Sequence, residues 1–335
     1  MSDLELRRAL GHWPELVAPR WSPLGAGLIN QTYAVRSAGR EWVIQRVSPI
    51  FDPTIHHDIR AVTDHLASRG MSTPRLVPAA DGADWIDLGP DGVWRLMTRV
   101  PGVTFDRPQS PGQVRAAGAL LGRFHGALED LDHAWSAGRR GVHDTQRHLH
   151  VLRVAVEDHG DHRLFEQVAP LAEAVLEQAE TLPPPPDAPA RPVHGDPKLN
   201  NMLFAGVTPP ASEETVCLVD LDTVGAMPRW QELGDALRSW CNGAGEDSVV
   251  ASFDPELFRA AVHGYTEGIG GLETEAREFL ADATRWISLE LAARFLADAL
   301  RENYFGWDRA KFAGRGEHNL VRGQGQWSLC QAVRA

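Results

Sequence analysis

The spacing of hydrophobic residues changes near residue 100. Before that point, apolar and polar residues alternate in short runs, which predicts β-strands because successive strand side chains face opposite sides. The predicted strands cover residues 28–36, 41–47, 84–88 and 93–100. One helix is expected among them, at residues 53–69, where apolar side chains recur at intervals of three or four, at Ile55, Ile59, Val62 and Leu66.

Helical spacing dominates after Pro101 and Gly102. Apolar residues repeat every three or four positions over residues 114–131, 164–182 and 279–300. Four consecutive prolines at 183–186 cannot continue a helix and predict a stiff connector. The order of elements predicts an α+β fold, with a small β-rich lobe at residues 1–100, a short hinge and a larger helical lobe at residues 101–335.

A polar loop in the second half has the spacing of a phosphoryl-transfer site. Moving a γ-phosphate requires a base for the acceptor hydroxyl and oxygen or amide ligands for Mg²⁺. Asp196 and Asn201 can supply base and metal ligand from one loop, and Asp220 ends the apolar run 216–219, where a strand would deliver a carboxylate. Each residue type is also common in plain turns. Their order and spacing together indicate phosphoryl transfer.

Two further residues belong to this predicted site. Lys198 is expected to neutralise the γ-phosphate as it moves, and the alternative is a solvated loop lysine. Asp222 lies two residues after Asp220, so both carboxylates point the same way if the strand continues. One is then expected to bind the metal directly, and the other to hold a water ligand or to steady the loop. His194 is expected to order the loop by hydrogen bonding.

Several segments along the chain carry a resemblance to a known family. They are residues 27–33, 43–46, 143–145, 194–201, 219–224, 289–296, 304–305 and 317–320. In them the chain resembles small-molecule kinases of the aminoglycoside phosphotransferase and choline kinase type, and within that group the N-acetylhexosamine 1-kinases. The resemblance implies a protein-kinase-like two-lobed fold, with ATP and Mg²⁺ in the cleft. Residues 220–224 and the segment around Arg294 carry the likeness to the subgroup.

The first lobe is expected to hold the nucleotide. Gly25 and Gly27 precede a strand and allow backbone N–H groups to approach phosphate, although such a pair is often a plain turn. Kinases place a lysine where this chain has Gln45 and Arg46. Strand alternation lets only one of the two face the cleft, and Arg46 is preferred because its guanidinium can grip phosphate with two hydrogen bonds. Asp58 is the helix acid that would pair with it.

The remaining expected contacts lie at the hinge and the acceptor. Thr98 and Val100, at the end of the last predicted strand, are assigned to the nucleotide site. Arg294 lies on an apolar helix and is expected to bind the acceptor, the alternative being a salt bridge to Asp298, Asp235 or Glu232. The resemblance also places Asn30 and Asp144 at the acceptor, although Asp144 is equally suited to cap a helix.

Composition limits the partners. The 335 residues, of which 43% are hydrophobic, can bury a large core. A net charge of −12 argues against nucleic acid and against an anionic membrane surface, because both attract basic proteins. Three widely spaced cysteines predict reduced thiols, and no apolar run reaches the length of a membrane span. We expect a cytoplasmic monomer or homodimer that acts on a small molecule.

The predicted function is ATP-dependent phosphorylation of a small hydroxylated substrate. The anomeric hydroxyl of a hexosamine or N-acetylhexosamine is the preferred acceptor. One alternative keeps the chemistry and changes the acceptor to an aminoglycoside or amino alcohol. A second alternative is an inactive nucleotide-binding scaffold protein.

Overall fold

The computed structural model describes residues 3–25, 29–136 and 143–333. Its amino-terminal part is an antiparallel sheet in the order β1-β2-β3-β6-β4, and β5 also pairs with β6. The strands are β1 (Arg20–Pro23), β2 (Gln31–Ser37), β3 (Arg40–Val47), β4 (Leu76–Val77), β5 (Ile86–Asp87) and β6 (Val93–Thr98).

The two faces of this sheet contact different parts of the chain. The first face packs on α1 (Asp3–Leu10) and Trp13 through Trp42, Ile44, Trp94 and Leu96. On the second face, Val47 and Met97 pack with α2 (Ile55–Ser68) and with the helical part of the chain. Gln45 and Arg95 are cross-strand partners on this second face, whereas Arg46 belongs to the first.

The helical part is organised around α9. This helix is buried along most of its length and packs against α4, α5, α6 and α10. The helices are α3 (Pro111–Ala127), α4 (Thr145–Asp158), α5 (Phe165–Thr181), α6 (Arg229–Trp240), α7 (Pro255–Ile269), α8 (Thr274–Glu278), α9 (Leu280–Arg301) and α10 (Arg315–Ala332). Glycines allow α3 and α7 to approach closely: a Cβ added at Gly118, Gly122, Gly264 or Gly268 would lie 1.9–2.5 Å from the facing backbone.

Two short antiparallel strand pairs hold the polar loops. Strand β7 (Arg191–Val193) pairs with β10 (Gly225–Met227), and β8 (Met202–Phe204) pairs with β9 (Thr215–Leu218). The loop from β7 to β8 and the turn from β9 to β10 therefore lie next to each other. Both sites of predicted phosphate chemistry are on these two connections.

The structure bears out the main predictions of element type and adds elements that the pattern did not reveal. The expected strand at 41–47 and the expected helix at 53–69 correspond to β3 and α2 within two residues at each end. The strand expected at 93–100 ends at Thr98. A second helix, α1, lies in the first hundred residues, where only one was expected.

Two expectations from composition can be compared with the structure. Cys217, Cys241 and Cys330 are buried and free of disulfide bonds. Across the described ranges, none of the helices has the length and apolar character needed to cross a membrane.

Candidate active site

The loop between β7 and β8 has a fixed backbone shape. His194 accepts a hydrogen bond from the backbone N–H of Asp196 at Nδ1, and its Nε2 lies 2.9 Å from the carbonyl of Val219. Gly195 has a φ of 86°, and an added Cβ would lie 2.2 Å from the carbonyl oxygen of Thr223. Only glycine fits this position without moving the backbone. His194 therefore orders the loop, as expected.

Buried side chains of the helical part hold this loop by hydrogen bonds. The backbone N–H of Gly195 donates to Glu232, whose other carboxylate oxygen contacts His125. Trp240 donates from its indole nitrogen to the carbonyl of Pro197 over 2.8 Å. Because α3 and α6 supply these contacts, the loop is attached to the rigid part of the molecule.

The loop brings together three of the predicted site residues. The Lys198 amine lies 3.0 Å from an Asp196 carboxylate oxygen. The side-chain nitrogen of Asn201 donates to the Asp196 carbonyl over 2.8 Å and to its carboxylate over 3.3 Å. Partial desolvation opposes the charge on Lys198, but Asp196, Glu246 and Asp235 outweigh it and raise the pKa of the lysine.

Asp220 follows β9 with a left-handed backbone, at φ 64° and ψ 58°. The chain then enters a short 3₁₀ turn, Leu221–Thr223, so the strand does not reach Asp222. A continuing strand was the condition for both carboxylates to point the same way, and the structure does not meet it. Solvent reaches Asp220, yet the surrounding protein removes much of its hydration. This desolvation and the negative charge of Asp222 raise the pKa of Asp220 to about 6, against the effect of Arg95.

Asn201 and Asp220 fit a magnesium site in the donors they offer. The amide nitrogen of Asn201 is used by Asp196, which leaves the amide oxygen as its possible ligand atom. Desolvation and the charge of Asp222 raise the pKa of Asp220 more than Arg95 lowers it, which favours a further cation beside this carboxylate. Over the described ranges, no three His, Cys, Asp or Glu side chains are grouped to hold a metal alone. The remaining ligands of a magnesium ion would be phosphate oxygens and water, as is common in nucleotide sites.

Asp222 has different neighbours from Asp220. One carboxylate oxygen forms a buried ion pair with Arg95, and the other accepts a hydrogen bond from Asn30. Asn30 in turn accepts from the backbone N–H of Ser48 over 2.9 Å. These contacts place Asn30 in the protein interior and do not support its expected contact with the acceptor. They also do not support the expected contact of Asp222 with the metal.

The preference for Arg46 over Gln45 is corrected by the side-chain positions. Arg46 lies on the face that packs on α1 and donates to the carbonyl of Pro90. Gln45 lies on the opposite face, where it donates to Thr32 and accepts two hydrogen bonds from Arg95. The cation beside the turn that contains Asp220 and Asp222, here called the metal turn after its predicted ligand, therefore comes from β6 and not from β3. Strand alternation offered the right two faces but did not indicate which of them is turned toward the cleft.

Helix α2 contributes a histidine near this cation. The carboxylate of Asp58, expected to pair with Arg46, instead accepts hydrogen bonds from His133 and Ser136. His56 is fully buried and close enough to Arg95 that desolvation and the arginine charge lower the pKa of the histidine to about 4.

The other expected nucleotide contacts lie in the first part of the chain. Gly25 has a φ of 72°, which suits the tight turn before β2, and Gly27 lies outside the described residues. The Thr98 hydroxyl accepts from the backbone N–H of Arg75 over 2.9 Å, so it fixes β4 to β6. Val100 is half-buried just beyond β6. The nucleotide-binding roles of these residues stay predictions.

A second polar cluster is centred on Glu290 of α9. This carboxylate is fully buried and lies 3.0 Å from His143 Nδ1 and 2.6 Å from the hydroxyl of Thr145. Arg294, one turn later, lies 3.8 Å from Glu290 and stacks over Phe305. Glu290 is therefore the described partner of Arg294.

The partners considered for Arg294 from the sequence are used elsewhere. Asp298 accepts hydrogen bonds from backbone N–H groups after α9 and from Asn319. Glu232 accepts a hydrogen bond from the loop between β7 and β8, here called the catalytic loop after its predicted role. Asp144 caps α4 by accepting from the backbone N–H of Arg147. This confirms the capping role of Asp144, and its contact with an acceptor stays a prediction.

Asp235 on α6 lies between the two clusters. It forms a buried ion pair with Arg238, whose charge keeps the pKa of Asp235 low against the effect of desolvation. Both Lys198 and His143 are near enough to contribute to the same lowering. In addition, Gln231 on α6 donates to the carbonyl of His143. Helix α6 thus connects the catalytic loop to the Glu290 cluster.

Three residues of this region were not predicted to have their observed roles. Arg95, Asp235 and Glu290 lie inside apolar strand or helix patterns, and each forms its ion pair with a residue on another element or turn. A charged residue in an apolar run is a signal that it has a buried partner. For Arg294 this signal predicted a salt-bridge or acceptor partner, and it applies equally to these three residues.

Comparison with known proteins identifies the family. A sequence profile of the phosphotransferase enzyme family matches residues 20–312, most of the chain. This chain belongs to the phosphotransferase enzyme family. Homoserine kinase from Zymomonas mobilis is 23% identical to it over 256 residues, which cover 76% of this chain and 73% of that protein.

Solved structures of family kinases show the same fold. An amicoumacin kinase in complex with AMP-PNP and Ca²⁺ superposes with a TM-score of 0.63 at 13% identity, covering 98% of this chain and 93% of that one. A microcompartment-associated aminopropanol kinase gives 0.62 at 18% identity, with 98% and 97% covered. The predicted protein-kinase-like fold is confirmed.

Family membership defines the activity at a general level. The chain is an ATP-dependent small-molecule kinase, a phosphotransferase with an alcohol group as acceptor. Family kinases use ATP with a divalent metal, which agrees with the oxygen donors of Asn201 and Asp220. The acceptor is not defined by membership, because the related kinases named above act on different small molecules.

Proposed function

We propose that this kinase transfers the γ-phosphate of ATP to the anomeric hydroxyl of a hexosamine or N-acetylhexosamine, with Mg²⁺ as the metal. The observation that carries the chemistry is the convergence of Asp196, Lys198 and Asn201 on one loop beside Asp220. The likeness of residues 220–224 and of the Arg294 segment to N-acetylhexosamine 1-kinases supports the choice of acceptor.

In this proposal Asp196 is the group that receives or orients the proton of the acceptor hydroxyl. Its position is fixed by the backbone of the loop and by hydrogen bonds from Lys198 and Asn201. Lys198 keeps its positive charge and neutralises the phosphoryl group as the group moves. Asn201 and Asp220 would hold Mg²⁺, which supplies charge neutralisation on the phosphate oxygens when bound.

The charge pattern around Asp196, Asp235 and Glu290 favours a hydroxyl-rich acceptor over a polycation. Asp196 contacts Lys198, Asp235 contacts Arg238, and Glu290 contacts His143 and Arg294. Because these carboxylates are already paired with cations, binding a polycation there would require breaking existing ion pairs. Sugar hydroxyls can instead form hydrogen bonds with groups that keep their partners.

An amino-alcohol acceptor is the second candidate. The homoserine kinase likeness supports it in part, since homoserine, the substrate in that relative's name, carries both an amine and a hydroxyl group, although it also has a carboxylate. Glu246 is the acidic group that suits such an acceptor, because it lies near Lys198 and its side chain is 40% exposed. Its carboxylate lies 3.7 Å from the Arg238 guanidinium, which is too far for a strong hydrogen bond. An ammonium group next to Glu246 would be partly solvated.

One experiment separates these candidates and the inactive scaffold. ATP consumption is measured with single hexosamines, N-acetylhexosamines, homoserine, small amino alcohols and aminoglycosides, and the product phosphate position is assigned by ³¹P and ¹H NMR. The proposal expects a sugar 1-phosphate as the best product by kcat/KM. Preferred phosphorylation of an amino alcohol would replace it with the second candidate. ATP binding without turnover of any acceptor would favour the scaffold protein.

A further inference from the structure

The carboxylate of Asp222 is enclosed by groups from the sheet. Its two oxygens contact Arg95 and Asn30, which lie 127 and 192 residues away in sequence. The side chains of Arg95 and Asp222 are 1% and 2% exposed. A carboxylate whose oxygens are both engaged and shielded from solvent is poorly placed to bind a metal ion that retains water.

Arg95 is itself held in a fixed orientation. Its Nε and Nη2 both donate to the side-chain oxygen of Gln45, and Gln45 donates to the Thr32 hydroxyl. Gln45 carries no charge, and the nearby His56 is kept neutral by its lowered pKa. The carboxylate that balances the buried charge of Arg95 is therefore that of Asp222.

The turn that contains Asp222 is attached to the catalytic loop on its other side. The Thr223 hydroxyl donates to the carbonyl of His194, and His194 Nε2 contacts the carbonyl of Val219. Asp220 lies between these two attachments, in the left-handed conformation that non-glycine residues rarely adopt. A strained backbone conformation of this kind persists only when surrounding contacts hold it, and the contacts at Val219 and Thr223 do so here.

We propose that Asp222 is a positioning residue: held by Arg95 and Asn30, it fixes the turn that directs Asp220 toward the metal. Asn30 immediately precedes β2, close to the Gly25 turn, so the same contact joins the nucleotide-binding edge of the sheet to the metal turn. This inference rests on the phosphotransferase activity and is independent of which acceptor is used.

The test compares Asp222→Asn, Arg95→Gln and the double variant with the unmodified protein. The readout is the ratio of ADP affinities with and without Mg²⁺, measured by isothermal titration calorimetry, so that no acceptor or turnover is needed. Asp220→Ala serves as the reference for loss of a direct ligand, and the exposed Asp187→Asn as the matched control.

The proposal expects each single variant to lower this ratio about tenfold, because each leaves a buried charge without its partner and loosens the turn. The double variant is expected to lose less than the product of the two single losses, since both charges are gone and the two amides can hydrogen-bond. A direct metal role predicts a different pattern: Arg95→Gln keeps the ratio, and the double variant is as weak as Asp222→Asn. That pattern would overturn the proposal.

A second variant protects the test against misfolding. If Arg95→Gln does not give folded protein by circular dichroism, Asn30→Ala removes the other contact of Asp222 and leaves the charge pair intact. Positioning predicts that Asn30→Ala lowers the Mg²⁺-dependent ratio several-fold, as expected when a contact within one hydrogen-bonded network is lost. An unchanged ratio in Asn30→Ala would equally overturn it.

Discussion

The proposed phosphate-transfer end of this site and its proposed acceptor end, the cluster of Glu290, His143 and Arg294, are built in opposite ways. Asp196, Lys198 and Asn201 lie within a span of six residues, and the side chains of Lys198 and Asn201 both contact Asp196. Asp196 and Lys198 are partly open to solvent. At the other end, Glu290 is fully buried and binds His143 and Thr145, which are 147 and 145 residues away in sequence.

This difference predicts how each end responds to mutation. A loop whose shape depends on backbone contacts can lose a side chain and keep its fold, because solvent replaces the lost group. A buried carboxylate that joins α9 to the start of α4 cannot be replaced by solvent, so its loss leaves unpaired groups in the interior. Variants at the first end should therefore change rate alone, whereas loss of the buried Glu290 carboxylate should change stability and acceptor binding together.

The largest effect is expected at Asp196. Asp196→Asn keeps the shape and removes the proton-accepting carboxylate, so kcat should fall by about 10²–10⁴-fold, the usual contribution of a general base. The melting temperature and ADP affinity should stay close to those of the unmodified protein and of the control Asp187→Asn. Turnover within a few-fold of normal would remove Asp196 from the catalytic role.

The sequence revealed the first end far better than the second, for the same structural reason. The Asp196 loop is local, so residue type and spacing were enough to indicate its chemistry. Whether Gln45 or Arg46 faces the cleft depends on which side of the sheet α1 covers, and α1 was not predicted. The contacts of Asp222 with the sheet were not predicted, because the strand pattern gave no sign that the chain leaves β geometry at Asp220.

Partners from distant segments were hidden for a related reason. Arg95 and Glu290 each lie in an apolar run, and the residues within these runs do not indicate which distant side chains neutralise their charges. The match between Arg95 and Asp222 depends on how the sheet packs on the metal turn. Such pairing is a property of tertiary structure, and short-range patterns carry no information about it.

The next effect in size is expected at Glu290. Glu290→Gln keeps the volume but leaves His143 and Arg294 without their carboxylate, which should reduce the free energy of unfolding by about 2 kcal/mol or more. Urea unfolding measures this loss, and the exposed Glu173→Gln on α5 is the control. The KM for the acceptor should rise while the KM for ATP stays nearly constant. A variant with normal stability would contradict the role of Glu290 as the centre of this cluster.

A smaller effect is expected at Arg294. Arg294→Lys keeps the positive charge but loses the planar guanidinium with its paired N–H donors and its stacking on Phe305. If Arg294 binds the acceptor, the KM for the acceptor should therefore rise about tenfold. The KM for ATP and the melting temperature should change little, as in the exposed control Arg259→Lys. Reduced stability with an unchanged acceptor KM would show that Arg294 serves the fold alone.

The smallest effect concerns the pH dependence of stability at His143. Burial opposes its charge, but Glu290 outweighs that effect and raises the pKa of His143 above its ordinary value of 6.5. A raised folded-state pKa means that the protonated ring stabilises the fold fully below pH 6.5 and that this contribution is lost as pH rises through the folded-state pKa.

His143→Gln retains a hydrogen-bond donor for Glu290 but cannot titrate. The difference in free energy of unfolding between the unmodified protein and this variant should therefore be largest near about pH 5.5 and should shrink by about pH 9. Urea unfolding at several pH values measures it, and the exposed His12→Gln gives the background change. A difference that is constant or grows with pH would show that His143 is not charged in its contact with Glu290. The acceptor end would then hold a neutral histidine beside its buried carboxylate, leaving Arg294 as the cation that compensates it.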